Sequence, residues 1–241
     1  MYELVLRAAA VRHRQHLEDR IHTDFAEIGA LAALTGSDPV FPSVHSIGTR
    51  VTRLADLAAV EAELAQHTHS LEPVSTLTAA ESLLASVIPR ILPDPHRVAM
   101  ICTGEFLAGT SWNNVLRFVG RHRLPILLIV PGQFTSRRHA SADLRTIYTK
   151  FGVPVMTVDA HDPIAAFRVA TEAAHNARVG RGATILEAAM VETATLALNS
   201  RPPLEQMEDY MRRKGSWDDQ WRAQVELAAR RELAEIEERS A

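Results

Sequence analysis

The chain has 241 residues, of which 46% are hydrophobic and 23% charged. That balance supports a sizeable core and excludes collagen-like, fibrous and wholly disordered chains. Twenty-six Lys and Arg stand against twenty-nine Asp and Glu, a formal net charge of −3, without the basic excess of a nucleic-acid binder. The longest apolar stretch, at 126–130, is far below the roughly 20 residues that cross a bilayer. The start Met1-Tyr2-Glu3-Leu4-Val5-Leu6-Arg7 lacks the basic end and unbroken apolar centre of a signal peptide. The single cysteine, Cys102, permits neither an intrachain disulfide nor a cysteine-rich zinc site. These features predict a cytoplasmic protein with no membrane segment and no nucleic-acid partner.

In chain order, residues 1–96 read as mainly helical, with a turn at Gly36-Ser37-Asp38-Pro39 and a helix over 54–64 through Leu57 and Val60. They are expected to wrap a sheet. His13, His16 and His22 lie near helical spacing in a charged stretch, the pattern of a solvated face. His67 and His69 have no third ligand at suitable spacing, so they read as a solvated turn rather than a metal pair.

From 97 to 191, short apolar runs alternate with amphipathic stretches, which predicts a parallel sheet with crossover helices. Strands are expected at 97–103, 125–130, 153–158 and 183–191. Trp112, Val115, Leu116 and Val119 share one helix face, as do Leu144, Ile147, Tyr148 and Phe151. A third helix starts at Asp162-Pro163, with an acid at the cap and proline in the first turn. Beyond Asn199, Ser200-Arg201-Pro202-Pro203 leads into polar helices, the last over 218–239 with Trp221, Val225, Ala229, Leu233 and Ile236 on one side. There is no internal repeat.

Ligands of open parallel sheets bind beyond the carboxyl ends of the strands. Here the first predicted strand runs into Thr103-Gly104-Glu105-Phe106 and the second into Pro131-Gly132-Gln133. If these strands are neighbours, Glu105 and Gln133 offer hard oxygen donors suited to magnesium holding a phosphate. The plainer alternative is that strand ends favour glycine and polar residues. Neither a Walker sequence nor a Gly-x-Gly-x-x-Gly after a strand occurs. Glu192 reads either as a site acid or as a residue emerging into a loop.

The stretch 97–133, with Leu124-Pro125 opening its second strand, resembles the cofactor-binding stretch of the alpha subunit of thiamine diphosphate-dependent 2-oxo acid dehydrogenases of the pyruvate, branched-chain and acetoin type. Ala30 to Leu64, containing Ser37-Asp38-Pro39-Val40-Phe41-Pro42-Ser43, is similar to that subunit's early helix, loop and helix. Phe151-Gly152-Val153-Pro154, Val158-Asp159-Ala160-His161-Asp162-Pro163 and 178–187 match its third and fourth strands, and the likeness spans roughly residues 25 to 240. It implies an α/β protein of the thiamine diphosphate-binding fold, a parallel sheet flanked by helices with helical N- and C-terminal extensions. The expected organisation is a single domain over 1–241, with a helical wrap at 1–96, a sheet core at 97–191 and a loop with C-terminal helices at 192–241.

The resemblance implies thiamine diphosphate held through Mg, a beta-like partner in an α2β2 assembly that supplies the activating carboxylate, and decarboxylation of a 2-oxo acid followed by acyl transfer or carbon–carbon bond formation. Carried over, it makes Gly104, Glu105, Gly132 and Gln133 cofactor-binding, with Glu105 and Gln133 as metal ligands. The family's Gly-Asp-Gly aspartate falls on Gly104 or Glu105 depending on a one-residue shift, and its paired asparagines fall on Gly132 and Gln133. Where the family has Tyr-Arg after Phe-Pro-Ser, this chain has Val44-His45, so a diphosphate-clamping arginine is absent. His45 reads either as a partial substitute, a weak catalytic candidate, or as a loop histidine. The Tyr-Arg and loop histidine expected after Leu186-Glu187 are replaced by Met190-Val191-Glu192-Thr193. These departures favour an alternative: a non-catalytic pseudo-subunit that keeps the fold to stabilise a partner. An unrelated doubly wound enzyme or binding protein is the third reading.

Overall fold

The architecture is taken from a computed structural model, which describes residues 1–14, 23–43, 46–53, 60, 76–103, 107, 109–134, 148–191 and 202–240. In chain order these form α1 (Tyr2–Arg14), α2 (Asp24–Ala32), β1 (Val40–Phe41), α3 (Ile47–Arg53), α4 (Thr76–Ile91), β2 (Ala99–Cys102), α5 (Gly109–Arg121), β3 (Ile126–Phe134), β4 (Val155–Asp159), α6 (Pro163–Arg178), β5 (Thr184–Val191), α7 (Pro203–Arg213) and α8 (Asp219–Ser240). The five strands make one all-parallel sheet in the order β1-β2-β3-β5-β4. This is the α/β sheet flanked by helices that the sequence predicts.

Alternation along the strands feeds two cores. Ala99, Ile101, Ile126, Leu128, Val130 and Ile185 face α4 and α5. Met100, Cys102, Leu127, Ile129, Leu186 and Ala188 face α2 and α6. Burial on both sides explains why these strands read as continuous apolar runs. Each fully buried Ile or Leu, such as Ile129 or Leu186, contributes about 1.5–3 kcal/mol. The connection from β2 to β3 moves one way across the sheet through α5, and that from β4 to β5 moves the opposite way through α6. Right-handed crossovers in opposite directions place their helices on opposite faces, as the two cores require.

Local chemistry sets the helix ends. Asp162 caps α6, its carboxylate accepting from the Ile164 and Ala165 amides at 2.9 Å each, with Pro163 in the first turn. The buried face of α6 is nearly all alanine (Ala166, Ala170, Ala173, Ala174 and Ala177), which lets it lie close to α2 and the sheet. At the opposite, amino edge of the sheet Asp38 gathers several elements. Its carboxylate accepts from the Thr35 amide and hydroxyl (2.8 and 2.9 Å), the Val98 amide (2.8 Å) and the Arg178 guanidinium (2.5 Å).

A third core is purely helical. Tyr2, Val5, Val11, Phe25, Ile28, Ile47 and Met207 bring α1, α2, α3 and α7 together. The predicted C-terminal helix is α8, packed on α1 through Trp221, Val225 and Leu233, with Tyr2 edge-on to Trp217 at 5.3 Å. The predicted tail thus finds a surface within its own chain.

Two expectations change. The two-residue β1 is absent from the sequence reading, because Val40-Phe41 lies between two prolines and shows no periodicity. The second predicted strand, 125–130, extends through Phe134, so Gly132 and Gln133 are strand residues rather than the loop beyond it. The small-residue segment 76–91, within the stretch read as mainly helical, is helix α4 against β2 and α5. The helix expected at 54–64 lies outside the described residues except for Val60, which is buried in the helical core. Of the face Leu144, Ile147, Tyr148 and Phe151, only the last two are described; Tyr148 is buried in the sheet core and Phe151 packs against it.

Candidate functional site

Of the predicted site residues, Gly132 and Gln133 lie toward the carboxyl end of β3. β2 and β3 are hydrogen-bonded parallel neighbours, with Ala99 beside Ile126 and Cys102 beside Ile129. Thr103, whose amide donates to the Ile129 carbonyl at 2.9 Å, closes the pairing just before Gly104-Glu105. The condition set by the sequence, that the two motif-bearing strands be neighbours, is therefore met. Gly104, Glu105 and His45 themselves lie outside the described residues. So do His16, His22, His67, His69 and Glu192, whereas His13 is exposed on α1. Gln133 pairs with Met190 and Gly132 with Ala189 across β3 and β5.

Gly132 carries a packing constraint. A Cβ there would stand 2.5 Å from Cγ and 3.1 Å from Cδ of Glu187 and 3.2 Å from the Ala189 Cα. The glycine is what allows the Glu187 side chain to lie against β3. Glu187 is 5% exposed, and its carboxylate accepts a 2.7 Å bond from the Thr157 hydroxyl on β4. It borders a water-sized cavity of about 10 Å³ with Leu107, Val130, Pro131, Tyr148, Val155 and Ile185. Tyr148 donates to the Leu107 carbonyl at 2.7 Å. Burial, and then the nearby Glu187 charge, push its phenol up to about 12. The sequence reading named Glu187 only as part of the resemblance. Its signal was a lone acid in the apolar run 183–189, where a charge is buried only with a purpose or a partner.

On the other face a second group of acids sits beneath the β2 end. Asp24 and Glu27 are one helical turn apart on α2, and both are buried. Asp24 accepts from the Ile47 and Gly48 amides (2.8 and 2.9 Å) and from Arg12 (2.8 Å). Glu27 Oε1 accepts from the Thr23 and Ser46 hydroxyls (2.6 and 2.9 Å), while Oε2 accepts from the Thr49 amide and hydroxyl (3.1 and 2.8 Å). The first three amides of α3, which have no partner within their helix, are thus satisfied by two carboxylates of α2. Gly48 makes this approach possible, since a Cβ there would meet the Asp24 carbonyl oxygen at 2.0 Å. Burial, with the Asp24 charge second, raises the Glu27 carboxyl above its ordinary value. Burial likewise pushes the Cys102 thiol well up, and its sulfur lies 3.6 Å from the Thr49 hydroxyl. The sequence reading missed this network because its members come from α2, the 43–46 turn, α3 and β2.

Among the described residues, no group of three or more His, Cys, Asp or Glu is placed to hold a metal ion. A cavity of about 960 Å³ opens between the first turn of α6 and α7, lined by residues including Arg168, Tyr210, Arg213 and Lys214. Among the described residues, no helix is long and apolar enough to cross a membrane.

No family model matches the chain. Two curated relatives, each named 3-methyl-2-oxobutanoate dehydrogenase subunit alpha and drawn from two strains of Mycobacterium tuberculosis, are each 23% identical over 245 residues. The match covers 88% of this chain and 66% of each relative, so the chain spans just under two thirds of the length of the relatives it matches. The chain is therefore distantly similar to the alpha subunit of a 2-oxo acid dehydrogenase, with a parallel α/β sheet whose two motif-bearing strands lie side by side.

Proposed function

We propose that the chain is the alpha-like subunit of a heteromeric thiamine diphosphate-dependent enzyme that decarboxylates a 2-oxo acid and transfers the acyl unit or forms a carbon–carbon bond. The observation that carries this reading is the adjacency of β2 and β3, in which the strand that precedes Thr103-Gly104-Glu105 in the chain pairs with the strand that carries Gly132-Gln133. The donor types fit the group: a carboxylate from Glu105 and an amide carbonyl from Gln133 are the hard oxygens that magnesium takes. Thiamine diphosphate, when bound, supplies the electron sink for loss of the substrate carboxylate. In this proposal Glu105 and Gln133 hold the metal, Gly104 and Gly132 flank the diphosphate, and His45 stands where the family's clamping arginine is missing. The beta-like partner contributes the activating carboxylate, in an α2β2 assembly. Distant similarity to a dehydrogenase alpha subunit supports the same reading.

One observation favours the second reading, a pseudo-subunit that keeps the fold for a partner. The buried carboxylate of Glu187 lies against Gly132, and an anion beside a diphosphate segment that lacks its arginine opposes binding. Calorimetric titration of magnesium and thiamine diphosphate into the chain co-purified with a beta-like subunit separates the two. Saturable binding, weakened about tenfold or more by Glu105→Ala through loss of a charged ligand, is the expected result. A well-folded complex that takes up no cofactor establishes the pseudo-subunit instead.

A further inference from the structure

The proton order around Glu27 follows from donor and acceptor counts. A carboxylate accepts only, whereas each hydroxyl has one proton to give. Ser46 donates its proton to Glu27 Oε1, so in the 3.1 Å contact between the Ser43 and Ser46 hydroxyls Ser43 is the donor. Thr49 donates its hydroxyl proton to Glu27 Oε2, so in the 3.6 Å contact between Thr49 and Cys102 the thiol is the donor. Burial, which keeps that thiol protonated, agrees. Two chains of hydrogen bonds thus converge on one carboxylate. One runs from Ser43 through Ser46, and the other from Cys102 through Thr49.

We propose that Glu27 is a positioning residue for the carboxyl edge of the sheet, fixing through this converging hydrogen-bond order both the 43–46 turn and the end of β2. The termini of the two chains give the arrangement its consequence. Ser43 precedes Val44-His45, and Cys102 precedes Thr103-Gly104-Glu105. Arg50 reinforces the first arm by donating to the carbonyls of Ser43 and Ser46 at 3.1 and 2.6 Å. The Thr103 amide ties the second arm to Ile129 of β3. Glu27 acts through Ser46 and, by way of Thr49, through Cys102, which flank those segments in the chain. The inference concerns the edge itself and holds whichever ligand that edge takes.

Cys102 is the only cysteine of the chain, so the thiol stretching band in the infrared reports this network and nothing else. In the full chain that band is expected below the position of a non-hydrogen-bonded thiol, and to move up toward it in Thr49→Val. In Glu27→Gln the Thr49 amide still needs an acceptor at the former Oε2, so the new amide NH2 faces Ser46 from the Oε1 side, which reverses the Ser46–Ser43 arm and leaves the thiol band in place. Thr49→Val removes the thiol's acceptor while keeping the Thr49 amide bond. Amide hydrogen exchange supplies the positional readout: Ser46 is expected to exchange about tenfold faster in Glu27→Gln, and Thr103 about tenfold faster in Thr49→Val, the equivalent of one lost hydrogen bond each. A wild-type band already at the free-thiol position, or one unmoved by Thr49→Val, overturns the proton order. Unchanged exchange at Ser46 in Glu27→Gln, or at Thr103 in Thr49→Val, overturns the positioning role.

Discussion

The two edges of the sheet bury acids in different ways. At the amino edge Asp38, with a side chain 1% exposed, meets a cation, Arg178, together with amides and a hydroxyl from the chain around it. At the carboxyl edge Asp24 is likewise paired with a cation, Arg12, at 2.8 Å, but Glu27 and Glu187, equally withdrawn from water, have among the described residues only hydroxyls and one amide as hydrogen-bond partners. A buried charge with a partner closes the fold, whereas one held by hydroxyls keeps a desolvation cost that the structure must offset elsewhere. The difference separates an edge that fastens β2 to α6 from an edge that carries polar groups toward the segments where the strands end.

The sharpest way to break this comparison is at Asp38. Asp38→Ala strips the acceptor from the Val98 and Thr35 amides and from Arg178, and is expected to lower stability by about 3–5 kcal/mol, as loss of one partner of a buried pair does. Glu27→Gln, which keeps most of its hydrogen bonds, should cost about 1–2 kcal/mol. Urea unfolding measures both, and equal losses at the two sites would dissolve the contrast between the edges.

A smaller effect sharpens the carboxyl edge alone. The Tyr148 phenol is raised from the ordinary 10.0 to about 12 in the fold, so the native state holds its proton where the unfolded chain has lost it. Stability from this group is complete below about pH 10 and declines as pH climbs toward about 12. Tyr148→Phe should remove that share of the alkaline decline, read from urea midpoints across the range. An unaltered decline would mean that Glu187 and burial do not act on this phenol. The smallest effect belongs to neither edge: Glu232→Ala, which breaks the 2.9 Å contact between α8 and Arg7, should cost less than ~1 kcal/mol, because Glu232 is partly solvated. A larger loss would make the α1–α8 contact a third fastening point of the fold.

Much of the sheet was legible because apolar runs bounded by turn signals have few other uses. The strands centred on Met100, Leu128, Val158 and Leu186 were placed within a few residues, and Asp162-Pro163 marked the start of α6 to the residue. The edge strand Val40-Phe41 escaped because two residues carry no period. Continuation of β3 through Gly132 escaped because Pro-Gly after an apolar run is the ordinary mark of a strand's end; here pairing with β5 continues past it. At the site, Gly132 and Gln133 were legible as the polar end of a strand, but the reason for the glycine was not, since Glu187 lies 55 positions away and meets it only when β5 pairs with β3.

Sequence alone determined the class of the fold, the parallel sense of the sheet, the distant likeness to a 2-oxo acid dehydrogenase alpha subunit and the oxygen-donor character of the predicted ligands. The likeness rests on an ordered set of short segments shared with that family, and the others follow from local periodicity or local chemistry, which the chain carries in consecutive residues. Tertiary structure decided the strand order, the adjacency of β2 and β3 and the convergence of Ser46, Thr49 and Cys102 around Glu27. Those depend on contacts between residues far apart in the chain, set by which crossover goes to which face and by the need to satisfy every polar group that the packing buries.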